Sequence, residues 1–292
     1  MIVHLVDGTY ELFRQYYGRL RIKSNTPRPM GAAAGVLHSI LEMIETGATH
    51  LGVATDHVIE SFRNELWPDY KTGEGIDRAL WAQFWPLEDA LDAMGVAVWP
   101  MVELEADDAL ASAARLASDD PRVEKVCIWA NDKDLAQCVS GDRVVQVDRK
   151  AKQIRDQAAV RAKFGVDPGL IPDFLALVGD AQDGYPGLQG IGAVSAANLL
   201  NRYGPIEAFP AAVLTDRRER ALLFKDLATL RTDAPLFRNV EELRWRGPTE
   251  AFGAWAERLG DQRLAERCRK AAAAMEPARS NEIPPPGRPW SS

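Results

Sequence analysis

The chain has 292 residues, 46% of them hydrophobic and 26% charged, with a net charge of −7. That is the make-up of a globular protein of one large or two modest domains, and no apolar run approaches the length of a membrane span. The acidic balance argues mildly against a phosphate-bearing partner. The three cysteines, Cys127, Cys138 and Cys268, lack paired spacing, which argues against a disulfide scaffold or zinc site and for a reducing cytoplasm.

MIVHLVD, at the N-terminus, reads as a buried strand; it is too short for a signal core and lacks a basic lead-in. A helix is predicted over 31–46 (GAAAGVLHSILEMIET), then a strand in THLGVATD, a helix in WAQFWPLEDALDAMG and a strand in VAVWP. After ELEADD comes a helix through ADDALASAARLA, then strands in VEKVCIWAND and RVVQVD. Strands alternating with helices predict an α/β domain with a largely parallel sheet. Beyond about residue 165 the strand signals fade. PGLIPDFLALVG, AVSAANLLNRYG, PIEAFPAAV, DRRERALLFKDLATLRT and AFGAWAERLGDQRLAERCRKAAAAM all read as helices. The division expected is an α/β core over 1–165, a helical region over 166–276 and a disordered Pro- and Ser-rich tail over 277–292.

The acids fall at strand ends. Asp7 ends the first predicted strand and Asp56 the second; Glu105, Asp107 and Asp108 follow the third, and Asp132 and Asp134 the fourth. Ligands of open α/β sheets bind beyond the carboxyl ends of the strands, so these acids share one rim. Acidic residues also favour the first turn of a helix, which accounts for one or two of the cluster at 105–108 but less well for all of it. Crowded carboxylates need counter-charge, and oxygen ligands without His or Cys favour hard cations, Mg²⁺ or Mn²⁺. Asp180 and Asp183 lie in a Gly-rich loop, LVGDAQDGYPGLQGIG, which feeds a helix whose N-terminus suits a phosphate.

Together, ELEADDALAS, ANDKDLAQ, VGDAQDGYPGLQGIG and SFRNELWPDYK resemble the 5′-nuclease family: the 5′→3′ exonuclease domain of bacterial DNA polymerase I and the flap endonucleases. The similarity runs from Asp7 to about residue 240, as in a stand-alone bacterial member. The resemblance implies a PIN-like core, a helix–three-turn–helix DNA-binding motif, and phosphodiester cleavage with two divalent ions. Asp7, Asp56, Glu105, Asp107 and Asp108 match the family's first acidic group. Asp132, Asp134, Asp180 and Asp183 match its second. Asp108 stands either behind the metal ligands or as a helix cap.

Arg63 and Lys71 match basic positions at the base of a helical gateway over about 62–92, where they would contact the scissile phosphate. Tyr70 would stack on the terminal base, and Arg78 would face a threaded strand; the alternatives are a solvated Lys71 and a core Tyr70. Trp81, Phe84 and Trp85, aromatic at helical spacing, read as packing residues sooner than as nucleic-acid platforms. Glu74 stands where relatives often carry Arg. Gly187, Gly190 and Gly192 match the DNA-binding hairpin, where relatives often hold K⁺. Arg14 would reach a phosphate or pair with an acid. The expected protein is a cytoplasmic monomer acting on DNA 5′ ends or flaps. The alternatives are a binding protein of the same fold with little catalysis, and a PIN-type ribonuclease.

Overall fold

The computed structural model describes residues 1–20, 29–149, 151 and 153–275; the predicted tail over 277–292 lies outside them. Six strands form one sheet: β1 (Ile2–Asp7), β2 (His50–Asp56), β3 (Ala97–Met101), β4 (Lys125–Trp129), β5 (Val144–Asp148) and β6 (Gln153–Arg155). Their order is β3-β2-β1-β4-β5-β6. The first five run parallel, and only β6 is antiparallel. The chain winds outward from β1 through β2 to β3 and then returns to β4 on the other side of β1. This reversal opens a crevice at the carboxyl ends of β1 and β4.

The helices of the α/β part are α1 (Gly8–Leu20), α2 (Gly31–Glu45), α3 (Arg63–Leu66), α4 (Arg78–Trp81), α5 (Phe84–Ala93), α6 (Ala106–Ser118) and α7 (Gln157–Phe164). Helix α2 buries Ala33, Val36, Leu37, Ile40, Leu41 and Ile44, an apolar face at helical spacing, in the same core as Leu51 and Val53 of β2. Helix α6 covers the other face: Ala109, Ala113 and Ala117 pack in the core formed by Val3, Leu5, Val126 and Ile128. Small alanines let its backbone approach the sheet, bringing the first turn of α6 close to the strand ends.

The remaining helices are α8 (Ile171–Val178), α9 (Ala193–Tyr203), α10 (Ala211–Leu214), α11 (Arg218–Ala228), α12 (Phe252–Arg258) and α13 (Gln262–Met275). Helices α8, α9 and α11 form a lobe around Leu175, Leu177, Leu200 and Phe224. Two predicted helices are broken. PIEAFPAAV divides at Pro210, which lacks an amide hydrogen, into a 3₁₀ turn and α10. The predicted 251–275 helix divides at Gly260, whose φ is +64°, with Asp261 accepting from the Leu264 amide to start α13.

The last helices do not join that lobe. The Trp245 amide donates to Thr49 O (2.9 Å) and the Trp245 indole to Met94 O (2.9 Å). Phe252, Ala256, Leu264 and Cys268 then complete the α2–α5 core. Among the described residues, no helix is long and apolar enough to cross a membrane.

His4 on β1 gives the fold a pH dependence. Its Nδ1 lies 3.0 Å from the Trp129 indole nitrogen, so the neutral ring accepts there, and burial lowers its pKa to about 4. The unfolded chain takes up this proton below about 6.5, the folded chain only near 4, so stability falls as pH drops between these values. The loss is roughly 2 kcal/mol at pH 5. Urea unfolding of wild type and His4→Phe at pH 7 and pH 5 isolates it: the variant should lose less stability on acidification. Equal losses would show that His4 contributes no slope.

Candidate functional site

The strand ends deliver the acids as the alternation predicts. Oxygens of Asp7, Asp107 and Asp132 all lie within 4.8 Å of one another, although more than a hundred residues separate the first from the last. Asp56, Asp134, Asp180, Asp183, Lys71 and Lys133 line the same cleft, whose volume is about 420 Å³. Backbone amides fix three of the acids. Asp7 accepts from the Tyr10 amide (2.8 Å), Asp56 from the Ala106 amide (2.8 Å), and Asp134 from the Leu135 amide (2.8 Å).

Two glycines aim the loop carrying Asp180 and Asp183. Gly179 and Gly187 both have positive φ and stand back to back; a Cβ on Gly187 would lie 2.3 Å from the Gly179 nitrogen. Asp180 and Tyr185 then close the turn with paired backbone hydrogen bonds. Gly187 therefore shapes the acidic loop from within, whereas Gly190 and Gly192 are exposed in the turn leading to α9.

Burial, and after it mutual repulsion, dominates the electrostatics. Burial pushes the Asp107 carboxyl well above the usual range, with Asp134, Asp132 and Asp7 adding to the rise. Asp7 is raised by burial and then by Asp132 and Asp56, and Asp134 by burial and then by Asp183 and Asp132. Burial also raises Asp56 and Asp132, and lifts Asp183 to about 6 although Lys71 opposes it. The ionised cluster therefore calls for cations. Asp107 Oδ1 is buried and has no hydrogen-bond partner, which leaves an acceptor for a ligand. An all-oxygen set with an orphaned carboxylate oxygen fits a hard divalent ion.

Other predicted residues stand elsewhere. Asp108 is fully buried, and its oxygens accept from Arg63 Nη1 and Nη2 (2.7 and 2.8 Å), the Glu105 amide (2.9 Å) and the Arg231 amide (2.8 Å). It caps α6 and leaves no lone pair facing the cleft, so it is not placed as a metal ligand. Glu105 also sits behind the cleft, occupied by Lys71 Nζ (2.7 Å), Ser61 Oγ (2.6 Å) and Arg63 Nη1 (3.2 Å). Burial would raise its carboxyl, but Lys71 and Arg63 outweigh burial and hold it low.

Arg63 is 1% exposed and cannot reach a phosphate. Tyr70, 4% exposed with its hydroxyl on Glu105 (3.4 Å), cannot stack on a base. Arg14 pairs with Glu11 at 2.5 Å. Lys71 does face the cleft, held between Glu105 and Asp183 (3.6 Å). Of the aromatic trio, Phe84 is buried and Trp81 stacks on it, but Trp85 is 55% exposed. Glu74 and Arg78 are both exposed.

Sequence reasoning passed over Lys133, which donates to both oxygens of Asp180 at 2.9 Å. Its signal was present: a cation set between two acids in NDKD.

Two family descriptions match the chain: the 5′-3′ exonuclease N-terminal resolvase-like domain over residues 2–165 and the 5′-3′ exonuclease C-terminal SAM fold over residues 166–251. The chain belongs to the 5′-3′ exonuclease family. It is 31% identical to a 5′-3′ exonuclease of Buchnera aphidicola subsp. Baizongia pistaciae, over 78% of this chain and 81% of the relative. It is 33% identical to DNA polymerase I of Pseudomonas aeruginosa over 82% of this chain, but spans only 28% of that polymerase. Among solved structures, the bacteriophage T5 flap endonuclease in complex with DNA and metal ions aligns with a TM-score of 0.63 at 19% identity, covering 94% of this chain and all of the phage protein. Flap endonuclease-1 from Methanococcus jannaschii aligns with a TM-score of 0.59 at 16% identity, covering 94% and 93%. These likenesses establish the PIN-like core with its helical C-terminal region.

Proposed function

We propose that this exonuclease-family chain hydrolyses phosphodiesters at DNA 5′ ends or flaps with two divalent ions, Mg²⁺ or Mn²⁺. The observation that carries the reading is the convergence of Asp7, Asp107 and Asp132 in one cleft that also presents the Lys71 ammonium. Asp7, Asp107 and Asp132 would hold one ion, with Asp56 beside them; Asp134, Asp180 and Asp183 would hold the second. When bound, such ions activate water and offset charge on the leaving oxygen. Lys71 donates to a phosphate oxygen and stabilises the charge that builds there. Arg63, Ser61 and Glu105 keep Lys71 in place. The exposed turn at Gly190 and Gly192 would meet duplex phosphates through backbone amides, which carries no sequence preference, and K⁺ in that turn belongs to the same reading. So do monomeric action and a cytoplasmic site, which the three free thiols support.

The test is cleavage of a labelled 5′-flap duplex by wild type with Mg²⁺, by wild type with EDTA, and by Asp132→Ala. Cleavage seen only in the first is expected. Flap binding without cleavage in either Mg²⁺ or Mn²⁺ would establish a binding protein instead, and preference for an RNA flap would establish a ribonuclease.

A further inference from the structure

Trp85 is out of place as a packing residue. It lies in the first turn of α5 beside the buried Phe84, yet is 55% exposed. It is nonetheless fixed. Its ring stacks on His57 at 5.4 Å between centroids and 20° between planes, and its Nε1 donates to His57 O (3.2 Å). His57 Nδ1 lies 2.7 Å from Glu88, a 7%-exposed carboxylate whose other oxygen accepts from Thr55 Oγ1 (2.8 Å) on β2. The start of α5 is anchored too: Gln83 Oε1 accepts from the Ala32 and Ala33 amides (3.0 and 3.1 Å).

A buried carboxylate is thus engaged in holding an exposed indole, a use that catalysis does not explain. Position suggests the purpose. His57 directly follows the cleft residue Asp56, and Ile59, two residues on, lines the cleft wall. The 55%-exposed Val102 lies on the same lip, because the His57 and Val58 amides both bond to Met101 O. A rigid ring loses little freedom when a partner settles on it. A nucleobase offers a flat π-face whatever its identity, so stacking suits a substrate chosen by structure rather than sequence.

We infer that Trp85, backed by His57, is a stacking platform for an unpaired nucleobase of the strand entering the acidic cleft; the inference rests on the nuclease reading above. Glu88 acts as a positioning residue for the pair. The test compares wild type, Trp85→Phe and Trp85→Ala for binding a fluorescein-labelled 5′-flap duplex in EDTA, read by anisotropy. A second substrate carries abasic sites in place of the unpaired flap nucleotides, and wild-type cleavage in Mg²⁺ is followed in parallel. Trp85→Ala should weaken flap binding by about 5- to 150-fold, the range for loss of one stacked base. Trp85→Phe should fall between the two, and the abasic flap should bind wild type as weakly as the intact flap binds Trp85→Ala.

Equal affinity of all three proteins for the intact flap would overturn the inference. So would full-strength wild-type binding of the abasic flap, an arm that needs no variant to fold. Binding that depends on Trp85 and on the bases without cleavage would sink the nuclease reading and leave the platform standing. Cleavage with no dependence on Trp85 would do the reverse.

Discussion

Asp107→Asn is expected to melt at a higher temperature than wild type in EDTA at pH 8, and to cleave a 5′ flap at least about 10³-fold more slowly in Mg²⁺, since a metal contribution of several kcal/mol is lost. Both effects have one cause. Asp107 is 9% exposed, with one oxygen unpartnered, and burial and its acidic neighbours hold its carboxyl well above the usual range. In the unfolded chain the group ionises near the ordinary value. In the folded chain it ionises only at higher pH, so stability declines as pH rises through that interval and stays reduced above it. Asn keeps the shape and never ionises. A gain of about 2 kcal/mol would raise the melting temperature by roughly 3 °C in a chain of this size.

On the proposed metal reading, divalent ions should reverse the order, because ions held by the folded wild type would stabilise it by mass action. Differential scanning fluorimetry with and without 10 mM Mg²⁺ reads both halves. A variant that melts below wild type in EDTA would mean the carboxylates are not repelling one another in the folded protein.

That experiment separates the part of the site legible in the sequence from the part that was not. Asp7 and Asp56 end apolar runs, and Asp132 and Asp134 follow another, so a parallel sheet with one ligand rim placed them together from strand periodicity alone. The three residues of β6 are too few to show a period. Pro210 and Gly260 each interrupt a helical pattern, but the pattern resumes on the far side, so composition alone did not separate the pieces.

Glu105 and Asp108 expose a deeper limit. They flank Asp107 in sequence and look equivalent to it. What divides them is Arg63, some forty residues earlier, which takes both oxygens of one and an oxygen of the other. Helical geometry places neighbours on different faces; which face meets a buried cation is decided by tertiary packing. Trp85 was misread for a similar reason: the spacing that suggests packing is shared by Trp81, Phe84 and Trp85, and only the turn into α5 determines which ring is left outside.

Arg63 carries the second large expectation. Arg63→Ala should cost about 3–5 kcal/mol, the usual loss when one partner of a buried ion pair is removed. The guanidinium joins three parts of the molecule. It leaves α3, grips Asp108 bidentately in the first turn of α6, and reaches Leu227 O (2.8 Å) and Thr229 O (3.3 Å) at the end of α11. Its removal leaves a fully buried carboxylate with two backbone amides but no counter-charge, and takes a donor from two carbonyls. Arg63→Lys should recover only part of the loss, since an ammonium cannot reproduce the fork that meets both Asp108 oxygens.

The consequence for activity is indirect. Glu105, left with Lys71, Ser61 and the Tyr70 hydroxyl, loses a fixed contact, and Lys71 with it loses its placement in the cleft. Urea unfolding midpoints and flap affinity, measured on the same preparations, distinguish the two roles the residue could hold. Lower midpoints, with flap affinity weakened but not lost in the folded fraction, fit a residue that works through Glu105 and Lys71. An unchanged midpoint with flap binding lost would mean that Arg63 leaves its buried position to touch the phosphate, against everything its hydrogen bonds imply.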